Sequence, residues 1–562
     1  MNKIYPRLEI RELEKNEDQW HLFLLGLRKF QDMDQNDKLS YYQIAGIHGR
    51  PHLTWDSVGR GPGNSGGGYC SHGINIFPTW HRPYLVLFEE VLYLKARQVV
   101  AELQDGEVKD RYRKALPSLR LPYWDSAAVP PSGQGSLPMC LQSPKIDVKL
   151  PNGTNTIDNP LYSYRFHPLN QNDLPDYPLA NWTTTLRDPS SRDSNAASRN
   201  DLIAREADQT RPNLQSRVYD LLALQKEYMP ISNDREAGDS FESIHNTPHN
   251  TIGSGGHMSY VGYAAFDPIF WFHHCNLDRM FAIWQALNPN SYVQPKESPY
   301  STYTSPSGVV IDTNSALKPF HRNHDGTFWT SETVRYPSAF GYTYPELVGM
   351  KNGNTAPLVR KVNELYGPNA RAQKRSIIGT YQALGAPTFS GRRQYTTNIK
   401  ANKFGLGGSF NCYVFLGDQE ITSDATQWTE QDSFVGFTGI FSQSNQKADI
   451  EAYGAVPLTA ALEDRVRAGK LASMEEQDVG GYLKSNLKWR IARPTGEQVN
   501  VEHTPGFKVS VLWTEVEPAQ SLEQFPKKMG GYRVLVNATA GRPGGFGIED
   551  IVREIGMEDF YF

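Results

Sequence analysis

The stretch AAFDPIFWFHHCNLDRMFAIW, residues 264–284, decides how this chain is read. Residues 268–287 read as a helix, and a His-His pair inside so apolar a helix is unusual. A buried imidazole must be hydrogen-bonded or metal-bound, because an unpaired buried polar group costs about 1–3 kcal/mol. Adjacent helical residues point about 100° apart, so only one of His273 and His274 can share a ligand face. Asp278 follows His274 by four and is placed to orient a nearby imidazole as an acceptor.

Working outward, FESIHNTPHN at 241–250 spaces His245 and His249 one turn apart. On a helix both imidazoles share one face, a common way to offer two nitrogens to a metal. Pro248 lies between them, so it must fall in a first turn or distort the helix. A second group of histidines lies far upstream: His48 in QIAGIHGRP, His72 in GYCSHG and His81 in FPTWHRPYL. Of 14 histidines, five fall between His21 and His81 and five between His245 and His274. Three neutral imidazoles per metal with open positions suit copper or zinc, and all-nitrogen ligation leans to copper. No motif supplies a carboxylate at a ligand position, which disfavours a dizinc hydrolase.

The 562 residues exceed one ordinary domain. With 21% charged and 39% hydrophobic residues the composition is globular. A net charge of −4 gives no basic excess for nucleic acid or an anionic membrane. Apolar runs fall far short of a membrane span. The charged start MNKIYPRLEIRELEKN has no apolar segment of a signal peptide, so a cytoplasmic location is expected. Four cysteines, Cys70, Cys140, Cys275 and Cys412, make no disulfide framework.

Residues 12–32 have helical spacing, and Pro83 opens a second helix in PYLVLFEEVLYLKARQVVAEL. Residues 215–228 read as helix and 126–200 as loop. Near 366 the character changes. We expect a domain over 1–365, a linker over 366–394 with basic pairs at Lys374-Arg375 and Arg392-Arg393, and a domain over 395–562. In the last, FNCYVFLGD, LKWRIARP, FKVSVLWTEV and YRVLVNAT are strand-like, with one helical piece, LTAALEDRVRAGKLASMEE. This predicts a mostly antiparallel β-sandwich.

These motifs carry a resemblance. SYYQIAGIHGRP and GYCSHGINIFPTWHRPYL resemble the CuA motif of the type-3 dicopper proteins, in particular fungal tyrosinases. FESIHNTPHN, GGHMSY and AAFDPIFWFHHCNLDR resemble the CuB motif, and GYTYPE the aromatic-x-Tyr mark closing the catalytic domain. The resemblance implies a mainly α catalytic domain whose central antiparallel four-helix bundle holds two copper ions, with O2 as co-substrate. His48, His72 and His81 would bind CuA; His245, His249 and His274 would bind CuB. Cys70 would form a thioether with His72. Glu242 and Asn246 would hold a water that accepts the phenolic proton. Phe270 would lie over the CuB site and Asn250 would bias monophenol against diphenol use.

The implied activity is ortho-hydroxylation of monophenols and oxidation of o-diphenols to o-quinones, in melanin-type pigment formation. A catechol or o-aminophenol oxidase, or less readily an oxygen carrier, are the rivals. The partner is a small phenol, with a homo-oligomer and an activating protease left open. The resemblance also implies latency: SFVGFTGIFSQS aligns with a loop that inserts an aromatic ring above the coppers, with Phe441 as the plug and Phe437 as the fallback. One departure stands out. Many relatives carry Cys-x-x-Cys in the C-terminal domain to load copper, and GIFSQSNQKADIEAYGAVPL here has no cysteine, so either copper loads without it, or Cys412 or an outside chaperone takes part.

Overall fold

The computed structural model describes residues 3–61, 67–350, 353–368, 370, 393–443 and 448–553. The chain divides into two compact units. One comprises Met1–Ser126, Pro131–Ala204 and Ile252–Met350; the other comprises Ala127–Pro130, Arg205–Thr251 and Lys351–Phe562. This division differs from a cut at residue 365, because Arg205–Thr251 groups with the C-terminal part. Backbone-directed contacts explain it: Arg217 donates to the carbonyl of Phe437 at 3.3 Å, and Tyr453 N–H to the carbonyl of Asp234 at 2.6 Å.

The first unit is built on helices Glu17–Gln31, Tyr41–His48, Phe77–Glu102 and Ile269–Leu287. The expected helix at 12–32 is two, Ile10–Glu14 and Glu17–Gln31, because the Asn16 side chain caps the second. Pro83 does not open its helix. Phe77–Glu102 begins earlier, with Pro78 in the first turn and Pro83 inside, so His81 rides on helix. Aromatic packing joins these helices: Phe88 stacks on Trp271 at 3.8 Å, and Phe30 meets Phe88 at 5.0 Å. Each such buried ring contributes about 1.5–3 kcal/mol. The Tyr84 hydroxyl donates to the carbonyl of Ile44 at 2.9 Å, tying Phe77–Glu102 to Tyr41–His48. The segment 126–200 is largely loop but contains an unforeseen hairpin, Lys145–Leu150 with Gly153–Asp158.

The second unit holds most of helix Asn200–Leu224, which starts well before 215, and most of helix Phe241–Gly253. Beyond the linker two antiparallel sheets form. One orders Phe434–Ile440, Phe410–Leu416, Leu487–Ala492 and Gln498–Val499. The other orders Glu451–Pro457, Arg393–Asn402, Lys508–Glu517 and Lys527–Lys528, with Arg533–Val534 also on Lys508–Glu517. Their inner faces share a core that includes Ile399, Val414, Leu416, Val509 and Val511. Cys412 is wholly buried in that core, where burial pushes its thiol pKa up. It packs in the core as a small apolar side chain does. The single helical piece is two helices, Thr459–Arg467 and Glu476–Asn486, and YRVLVNAT supplies only the two-residue strand Arg533–Val534. Of the linker, Lys374, Arg375 and Arg392 lie outside the described residues, while Arg393 already begins a strand and pairs with Glu475 at 2.5 Å. Among the described residues no helix is long and apolar enough to cross a membrane.

Candidate metal centre

In the first unit, His48 ends helix Tyr41–His48 and His81 lies one turn into Phe77–Glu102. His48 Nδ1 lies 2.9 Å from the Val261 carbonyl and His81 Nδ1 lies 2.8 Å from that of Phe77. Donation to a carbonyl fixes the tautomer and turns Nε2 toward a metal. Nε2 of His48 is buried and has no hydrogen-bond partner, as a metal ligand in an ion-free structure would. Burial pushes the His48 pKa down to about 3 and that of His81 to about 4, so both are neutral at pH 7.

His274 joins them. A ligand atom from each of His48, His81 and His274 lies within 4.8 Å of the others. The His274 ring stacks on His81 at 4.6 Å. His48, Cys70 and His72 form another such group. Cys70 and His72 sit on a loop, brought close because Gly68 carries no Cβ: a methyl there would collide with the His48 carbonyl. The Tyr300 hydroxyl donates to the His72 carbonyl. The four histidines, His48, His72, His81 and His274, are 1–5% exposed, and an all-imidazole donor set fits copper. Phe270 meets His274 at 4.1 Å and His48 at 4.9 Å, and is fully buried.

Asp278 does not orient an imidazole as its spacing suggested. Its carboxylate accepts from Arg82 at 2.6 Å, and from the Tyr342 and Tyr344 hydroxyls at 2.6 Å each. Arg7 lies 3.5 Å away, its guanidinium over the Tyr342 ring. Burial would raise the Asp278 pKa, but Arg82 and Arg7 outweigh it and hold the group below its ordinary value. The four-residue spacing from His274 is real; stronger partners claim the side chain. Sequence reasoning passed over Arg7 and Arg82, although Arg82 directly follows His81.

In the second unit, His245 and His249 lie on helix Phe241–Gly253 with ring centroids 4.4 Å apart, and Pro248 falls inside this helix rather than in its first turn. His245 Nδ1 lies 3.0 Å from Asn246 Oδ1, so this side chain orients the imidazole. Glu242 is fully buried and accepts from Lys403 Nζ at 2.7 Å. Lys403 Nζ also bonds both oxygens of Asp234, at 2.7 and 2.6 Å. Asn250 Nδ2 donates to Asn411 Oδ1 at 2.7 Å. Phe441 is fully buried and stacks on His249 at 4.2 Å, with His245 at 5.8 Å. Phe437 instead packs among Tyr413, Phe415 and Trp428. Strand Phe434–Ile440 lies close to this helix: a Cβ on Gly439 would be 2.8 Å from Asn250 Nδ2 and 3.1 Å from the Asn246 carbonyl. Lys403, Asp234 and Asn411 belong to no motif, and only their long-range contacts bring them to notice.

Comparison with known proteins agrees in both units. A family model described as the common central domain of tyrosinase matches residues 38–287, and one described as the tyrosinase C-terminal domain matches 394–511. A tyrosinase of Neurospora crassa is 32% identical, with 97% of this chain and 96% of the relative covered. A tyrosinase of Podospora anserina is also 32% identical, covering 86% and 95%. Among solved structures, a recombinant mushroom tyrosinase has a TM-score of 0.79 at 24% identity, covering 94% of this chain and 96% of the other. An Aspergillus oryzae apo-pro-tyrosinase has a TM-score of 0.73 at 23% identity, covering 93% of each. At those identities the likeness carries the fold.

Proposed function

The chain belongs to the tyrosinase family of type-3 copper proteins, and we propose that His48, His72 and His81 hold one copper and His245, His249 and His274 the other. It is a copper-dependent tyrosinase, which hydroxylates monophenols ortho to the hydroxyl with O2 and oxidises o-diphenols to o-quinones. The observation that carries a copper centre is the gathering of buried imidazoles without a carboxylate: ligand atoms of His48, His81 and His274 lie within 4.8 Å of one another; the division into two sets of three follows the motifs. When bound, the copper pair activates O2 and accepts electrons from the phenol.

The remaining work falls to the chain. Phe270, packed on His274 and His48, supplies the apolar surface against which a substrate ring is oriented. A free phenol has a pKa near ~10, so its hydroxyl proton must be taken up before the oxygen binds metal. We assign Glu242 and Asn246 to hold the accepting water, for which a modest base would suffice beside bound copper. His245 stays in one tautomer through Asn246, and Asn250 adjoins the ligand His249 as a determinant of phenol choice. We place the reaction in melanin-type pigment formation.

The intact chain is a latent form. Phe441 stacked on His249 supports this, since a phenol-shaped space takes a phenyl ring well and the contact is intramolecular. A trypsin-like protease acting within 366–394 would release it. Trypsin or mild SDS should raise diphenolase activity severalfold, and Phe441→Ala should raise activity toward small diphenols without cleavage. An intact chain as active as its cleaved product overturns the latency. An unchanged, still latent Phe441→Ala variant overturns Phe441 as the plug.

A further inference from the structure

We propose that Lys403 is a second inhibitory contact, distinct from the aromatic ring, whose ammonium takes the Glu242 carboxylate out of use in holding the water that accepts the monophenol's proton. The inference rests on the latency proposed above. Lys403 follows directly on strand Arg393–Asn402 and is 1% exposed. Its three contacts, with Asp234 Oδ1, Asp234 Oδ2 and Glu242 Oε1, use all three ammonium hydrogens. Burial works against the charge, but Asp234 and Glu242 outweigh it and hold the Lys403 pKa above its ordinary value.

A buried ammonium needs compensation, and one carboxylate would serve for a purely structural tie. Here the lysine reaches past Asp234 to Glu242, on the helix that carries His245 and His249. Its position is fixed from the sheet side, where the Lys403 backbone N–H donates to Ile450 at 2.7 Å. Asp234 is fixed in turn through its carbonyl by Tyr453. The ring and the ammonium therefore act on different requirements. Phe441 covers a ligand imidazole, which every substrate needs. Lys403 engages a holder of the proton-accepting water, which monophenols need most because they are the weaker acids.

The test compares full-length, copper-loaded Phe441→Ala with Phe441→Ala/Lys403→Met, assaying a small monophenol and the matching diphenol. The double variant should gain about tenfold in monophenolase activity over the single, less than the 10²–10⁴ a positioned acid or base contributes, with a smaller gain on the diphenol. Phe441→Ala/Lys403→Arg, which keeps the charge, should retain the ratio of the single variant. If Lys403→Met does not yield folded protein, Lys403→Met/Asp234→Asn removes one of the two carboxylates left behind and replaces it in the comparison. Equal gains on both substrates would mean that Lys403 only holds the sheets in place, and would overturn the proposal while latency stands. An intact parent chain as active as its trypsin product would overturn both.

Discussion

The two halves of the ligand set are built differently. His48 and His81 are oriented by backbone carbonyls of their own unit, at Val261 and Phe77. The helix bearing His245 and His249 has its polar groups met by side chains from the C-terminal sheets: Lys403 at Glu242, Asn411 at Asn250, and the Phe441 ring on His249. A backbone carbonyl, whether in the turn at Val261 or in the first turn of helix Phe77–Glu102, cannot leave without refolding the segment that carries it. A side chain from a distant stretch of the chain can. The contrast makes the first half the fixed scaffold and the second the place where the proposed latency would act.

The largest expected effect breaks the ligand assignment itself. His274→Ala should lose one copper per chain and lower diphenolase activity by more than about 100-fold, beyond what loss of an outer partner of a ligand costs. His273→Ala should keep both coppers and lose stability instead. Metal content and o-diphenol turnover read this out together. A His274→Ala variant that retains two coppers and its turnover removes His274 from the ligand set.

A second variant asks whether the scaffold is as rigid as its contacts imply. Asp278 answers Arg82, Tyr342 and Tyr344 with both oxygens, and its side chain is 2% exposed. Asp278→Asn leaves Arg82 and Arg7 buried with less compensation, a loss of about 3–5 kcal/mol in comparable pairs. The thermal midpoint should fall by several degrees while the copper count is unchanged. Loss of copper at an unchanged midpoint would mean that Asp278 acts on the ligands after all.

What could be read in advance follows the range of the interaction. Histidines at helical spacing in apolar surroundings are a local signal, and the resemblance of the motifs around them supplied the six proposed ligands and the α-then-β order. Strands Phe434–Ile440 and Glu451–Pro457 were passed over because glycines dilute their β character; Gly439 is there for a close approach that only the fold reveals. The hairpin at 145–158 was hidden in a polar stretch. Asp278 misled because spacing gives proximity along one helix and says nothing of arginines arriving from elsewhere. Lys403 lies 161 residues from Glu242 in sequence, and no pattern links them.

The smallest effect concerns the one scaffold ligand that is off the helices. His72 and Cys70 share a loop, and their ligand atoms lie within 4.8 Å of each other and of His48. A loop holds a side chain less firmly than a helix does, and a covalent bond from the Cys70 sulfur to an imidazole carbon of His72 would remove that freedom. Forming it would break one S–H and one C–H bond and release two protons and two electrons, for which the co-substrate O2 is the acceptor. Intact-mass and peptide analysis of the copper-loaded chain should therefore show the loss of two hydrogens at Cys70–His72. Cys70→Ala should still bind copper but retain it less well against a chelator, with His48 and His81 holding through their carbonyls. A Cys70 that stays alkylatable in the active, copper-loaded protein refutes the crosslink. His72 would then be held by packing alone, and the fixed half of the centre would be less fixed than its two helix-borne ligands suggest.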